Sequence, residues 1–128
     1  MSVGLAAAVA NGIVTAMRNG TAYTPPGIGF VKLHSADPGT AGTANLFGAF
    51  GLVAVTWTAV ANGAMSNAGA ITFLALPSVL ATPYLSLWNT AGTTFVGSED
   101  ITVQATVPAG RAFVIPAGAL TYSQLTAA

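Results

Sequence analysis

Residues 52–73 read LVAVTWTAVA-NG-AMSNAGAITF. Two apolar runs, Leu52 to Ala61 and Ala64 to Phe73, flank Asn62-Gly63. Asn and Gly both accept positive φ, the backbone setting that a two-residue hairpin turn requires. The stretch therefore predicts two antiparallel strands, and the same texture continues on both sides of it. Downstream, Tyr84 to Asn89 is apolar, with Leu85 and Leu87 set between Tyr84, Ser86 and Trp88. Thr93 to Gly97 is a short run. Ile101, Val103 and Ala105 alternate with Thr102, Gln104 and Thr106, the period of a half-buried strand. Ala112 to Ile115 and Ala119 to Leu125 are the last runs. Val107-Pro108-Ala109-Gly110 returns as Ile115-Pro116-Ala117-Gly118, and Pro followed by Gly two places later suits a tight turn.

Upstream, Ile28 to His34 reads as a strand, and Ser35 to Asn45, rich in Gly, Thr, Asp and Pro, as an exposed loop. Residues 2–18 read as a helix. Ser2 is placed to cap it, Leu5, Val9, Ile13 and Met17 form one apolar stripe, and Asn19-Gly20 stops it. About eight short strands separated by turns predict a mainly β chain, an antiparallel sandwich or jelly-roll-like domain with an N-terminal helix. Residues 1–20 form the helix or docking arm and 21–128 the β-domain.

Charge is the unusual property. The 128 residues carry three basic and three acidic side chains: Arg18, Lys32, Asp37, Glu99, Asp100 and Arg111. That is 5% of the chain, against about 25% in an ordinary soluble domain. Three scattered cations cannot neutralise a run of phosphates, so nucleic acid is not an expected partner. No stretch of about 18 apolar residues runs unbroken, so no membrane span is expected. Met1 to Leu5 carries no basic residue of the kind that opens a secretory signal. With no cysteine, thiol chemistry and cysteine metal sites are excluded. An apolar chain with zero net charge has little self-repulsion, which points to association with further copies or a partner.

Catalytic patterns are absent. His34 is the sole histidine, and the carboxylates available to it are few. The reading favoured here is a histidine hydrogen-bonded to the loop that follows it. No serine sits in a Gly-x-Ser-x-Gly elbow. Glu99-Asp100 reads as a solvated turn before Ile101. Gly27-Ile28-Gly29 lacks the third glycine of a dinucleotide loop. Trp57 and Trp88 read as core or interface anchors, with a sugar-stacking platform as the alternative. No cofactor and no metal are expected, and the chain reads as a non-enzyme.

Val31-Lys32-Leu33-His34-Ser35-Ala36-Asp37-Pro38-Gly39, followed by Thr40-Ala41-Gly42, resembles a pattern in small proteins of tailed bacteriophages, especially those of actinobacteria. Val55-Thr56-Trp57, Leu87-Trp88-Asn89 and the Pro116-Ala117-Gly118 turn fit the same pattern. Ser35 stands where Thr is usual. Members of the group are variously described as tail fibre, minor tail, minor capsid or decoration proteins. The resemblance implies a virion structural protein without catalytic residues. The preferred reading of the sequence is a capsid decoration or minor capsid protein on the head surface. A tail fibre or minor tail protein is the alternative, and a carbohydrate-binding module a more remote one. The partners implied are copies of itself, as a trimer, and the major capsid protein or tail proteins. The interface residues expected are Leu5, Val9, Ile13 and Met17 on the helix, His34 and Asp37 at the loop, and Trp57 and Trp88.

Overall fold

A computed structural model describes residues 4–101 and 106–123. The chain order is α1 (Ala7–Asn19), β1 (Phe30–His34), β2 (Val53–Ala54), β3 (Ala64–Ser66), β4 (Ile71–Phe73), β5 (Tyr84–Trp88), β6 (Phe95–Asp100), β7 (Phe113–Ile115) and β8 (Thr121–Ser123). The fold is mainly β with antiparallel pairing and one N-terminal helix. Strands β2-β1-β5-β6 form a four-stranded sheet, while β3 pairs with β8 and β4 with β7.

Alternation along β1 and β5 gives the large sheet two unlike faces. Val31, Leu33, Leu85 and Leu87 point one way and are at most 2% exposed. They join Ile71, Phe73, Phe113 and Ile115 of the β4–β7 pair in one core. Phe73 stacks on Phe113 at 6.1 Å and meets the edge of Phe50 at 5.5 Å. Burying such a side chain contributes about 1.5–3 kcal/mol, so this layer dominates the stability of a chain with so few charges. Lys32, His34, Ser86 and Trp88 point the other way.

The Asn62-Gly63 turn forms. Both residues have positive φ, 52° and 71°, and Ala61 and Ala64 exchange two backbone hydrogen bonds of 3.0 Å. The two arms expected around it pair in part: Trp57 bridges Asn67, Thr58 N–H donates to Ser66 O at 2.8 Å, and Ala68 N–H donates to Thr56 O at 2.7 Å, but neither arm is one long strand. Only Val53–Ala54 of the first run is a strand, and it joins β1. The second run divides into β3 and β4, which pair with different partners, β8 and β7. Both Pro-Ala-Gly segments are turns, with Gly110 and Gly118 at φ 80° and 83°. Gly63→Val should lower the thermal midpoint by several degrees, since a β-branched residue resists positive φ; an unchanged melt would show that the turn carries no stability.

The helix starts later than its apolar stripe suggests. Ala6 occupies the N-cap position without a side-chain bond, and Ser2 lies outside the described residues. Residues 4–6 are extended instead and pair with the edge of β6. Ala6 N–H donates to Val96 O at 2.8 Å, and Ser98 N–H to Gly4 O at 2.7 Å. Leu5 lies opposite Gly97, where an added Cβ would come within 2.8 Å of Gly4 O. Glycine at 97 is what lets this arm lie flat. The helix then buries Val9, packs Ile13 on the core, and ends at Gly20 with φ 64°.

The sequence reading places a turn at Glu99-Asp100. Both residues belong instead to β6, opposite Leu85 and Tyr84. Their local polarity is overridden by the ladder with β5. Of the alternating strand expected from Ile101 to Ala105, residues 102–105 lie outside the described residues, as does Leu125.

Candidate functional site

The densest polar arrangement is on the second face of the large sheet. Lys32 stands opposite Ser86, and His34 opposite Tyr84. Alternation brings Trp88 to the same face. Trp88 Nε1–H donates to Ser86 Oγ at 2.8 Å. Ser86 Oγ lies 2.8 Å from His34 Nε2, and His34 Nδ1 lies 2.6 Å from Ala44 O. A carbonyl only accepts, so Nδ1 carries the proton. Nε2 then accepts from the Ser86 hydroxyl. The result is a directed relay from Trp88 through Ser86 and His34 to the loop, with each group satisfied. His34 and Ser86 are both 0% exposed. Burial pushes the imidazole below its ordinary value and the Lys32 charge adds to this, while the bond to Ala44 opposes it. The ring is neutral near pH 7.

The Ser35–Asn45 loop is tied down rather than loose. Ser35 N–H donates to Asn45 O at 2.9 Å, Ala44 N–H to Pro38 O at 2.9 Å, and Phe47 N–H to Leu33 O at 3.0 Å. Asp37 Oδ1 accepts from Gly39 N–H at 2.8 Å, and Asn45 Nδ2 donates to Asp37 O at 2.9 Å. Gly42, at φ 70°, rests against the Phe95 ring where a Cβ would overlap it. Phe95 in turn packs on Trp88 at 5.7 Å. Lys32 Nζ sits 4.5 Å from the centre of the Trp88 ring. The loop thus covers the relay.

The expected interface residues differ widely in exposure. Val9, His34 and Trp88 are inside the chain, at 5%, 0% and 8% exposure. They reach a partner only through what they hold in place. Trp88, hemmed in by Lys32 and Phe95, is no sugar platform. Trp57 is half-buried and its Nε1–H donates to Ile28 O at 2.9 Å. Leu5 and Ile13 line an apolar cleft of about 330 Å³ between the helix and the sheet, with Val9, Ile28, Met65 and Val96. Asp37 is part of the loop's own bonding. Met17 alone of the stripe is fully outside, at 80% exposure. Val14, Val60, Leu74 and Val79 are also more than half exposed.

Glu99 is half-buried beside Leu5, Leu87 and Tyr122, and desolvation raises its carboxyl above the usual range. The ionised form therefore costs stability in the folded chain at neutral pH. That cost is absent below the unfolded value of 4.5 and grows as pH rises through the raised folded value. Glu99→Gln should accordingly melt higher than the parent at pH 7, with the advantage disappearing below about pH 4.5. Equal melts at pH 7 would contradict this.

Reasoning along the sequence missed Asn67. Its side chain is 0% exposed and fills the gap where β3–β8 and β4–β7 part. Nδ2 donates to Gly69 O at 2.8 Å and Pro116 O at 3.0 Å, and Oδ1 accepts from Leu120 N–H at 2.9 Å. Among the described residues, no group of three or more His, Asp or Glu side chains is placed to hold a metal ion. No described helix is long and apolar enough to cross a membrane.

What this arrangement offers is rigidity and covered polar groups, set in an exterior rich in apolar side chains. The family described as "Podophage GP4 fiber I protein gp80" matches residues 4–123. No curated protein matches the chain.

Proposed function

The chain belongs to the podophage GP4 fiber I protein gp80 family, and on that premise we propose that it is a non-enzymatic structural subunit of a phage tail fibre. The family match over residues 4–123 carries the reading. It favours the fibre alternative over the head decoration preferred from the sequence alone.

Physical features support an assembly role. A homotypic contact brings like charges together, and a surface with six charged side chains in all meets little of that repulsion. Met17, Val14, Leu74 and Val60 supply exposed apolar area for such contacts. The partners are further copies of the chain and neighbouring tail proteins. His34 serves the folded loop rather than turnover.

Gold-labelled antibody against the chain, applied to intact virions and viewed by electron microscopy, tests the reading. Label on the tail or its fibres is expected. Label over the head shell would overturn the fibre reading in favour of decoration. Virions without label would remove both.

A further inference from the structure

We propose that His34 is an acid-operated latch that holds the Ser35–Asn45 loop closed over the sheet and releases it when the ring takes a second proton. The relay explains why. In the neutral form every atom has one role: Trp88 Nε1–H gives to Ser86 Oγ, the Ser86 hydroxyl gives to His34 Nε2, and Nδ1–H gives to Ala44 O. A proton on Nε2 turns that atom into a donor. Ser86 Oγ must then accept from both His34 and Trp88, and its own hydroxyl loses its acceptor. The new charge also lies in a site with no exposure to water.

The groups around the ring do not relieve this. On its own strand Lys32 is a cation, held over Trp88. From β5, Tyr84 is its cross-strand partner, and beyond it Asp100 of β6 pairs with Tyr84. From the loop, Asp37 contributes a carboxylate whose Oδ1 accepts from Gly39 N–H and whose Oδ2 is buried without a hydrogen-bond partner, and neither oxygen bonds the ring. Burial and Lys32 both act against the charged ring, in agreement with this geometry.

Water reaches the ring most directly by lifting the loop, because the other side of the sheet is packed core. The loop is the separable part. It is fastened by the His34–Ala44 bond, the Ser35–Asn45 contact, the Gly42–Phe95 contact and, at its base, the Thr82 hydroxyl donating to Ser35 O at 2.6 Å, and none of these is a contact between apolar core side chains. Opening exposes the buried Trp88 and the covered part of the half-buried Phe95.

Amide hydrogen exchange of the whole chain between pH 7.5 and 5, corrected for intrinsic rates, tests the latch. The reporters are the Ser35 and Ala44 amides. The reference is the Asn67 and Leu120 amides, which belong to the other ribbons. Loop protection should fall by up to about tenfold per pH unit once the ring titrates, while the reference holds. Because His34 is the only histidine, its ring nitrogen shifts are unambiguous, and the two midpoints should coincide. His34→Gln, which cannot titrate, should lose the pH dependence. If that variant does not fold, the comparison of loop with ribbon in the parent still decides. Loop and ribbon amides losing protection together would overturn the proposal, and so would an unchanged loop or the same pH response in His34→Gln.

Discussion

Asn67→Ala is expected to cost about 2–4 kcal/mol, seen as a lower denaturation midpoint with an unchanged slope. The substitution removes three hydrogen bonds at once. The Leu120 amide is the costly orphan, since Leu120 is 2% exposed and no water replaces the lost oxygen. Gly69 O and Pro116 O belong to exposed residues and recover part of their loss. Against a total stability of about 5–15 kcal/mol, the change is a large fraction. Asn67→Asp should be worse despite its similar shape. It replaces the two-proton donor with an oxygen facing the Gly69 and Pro116 carbonyls. An Asp variant as stable as the parent would show that the amide is not what joins the two ribbons.

His34→Ala is expected to cost a similar amount, about 2–4 kcal/mol, from the cavity and the orphaned Ser86 hydroxyl. The effect should couple to Ser86→Ala. If the relay acts as a unit, the double variant costs less than the sum of the singles by on the order of 1–2 kcal/mol. Strict additivity would mean that the two side chains act separately. The pH dependence has a definite sign. The folded ring titrates below its ordinary value of 6.5, so as pH falls through 6.5 the unfolded chain takes up the proton first. Parent stability from this group is complete above about pH 6.5 and declines toward the lowered folded value. The gap between parent and His34→Ala should therefore narrow in acid.

Local grammar in the sequence was readable where the interaction is local. Asn62-Gly63 and the two Pro-Ala-Gly turns form because φ preferences are properties of the residues themselves. Asn19-Gly20 ends the helix for the same reason. The histidine bonded to its following loop was also within reach, ten residues away. The relay beyond it was not. Ser86 is 52 residues from His34, and Leu120 is 53 from Asn67. Nothing in the neighbourhood of Asn67 marks it as buried. Glu99 misled in the opposite direction, because two adjacent acids look like solvent-facing punctuation until β5 claims them as a strand. The start of the helix was displaced by a still more distant cause, the pairing of residues 4–6 with the edge of β6.

That pairing bears on how the chain is made. Gly4 and Ser98 are 94 positions apart, so the first described residues to leave the ribosome wait for β6, the last-made strand of the large sheet. Translation at about 5–20 residues per second leaves them unseated for seconds, far longer than a helix needs to form or a loop to close. A short helix with a glycine at its centre does not persist alone in that interval. Neighbouring nascent chains on one message carry the same waiting segment and, once β6 is complete, the same vacant edge. The yield of correctly closed subunits therefore depends on the timing of synthesis as well as on the stability of the finished fold.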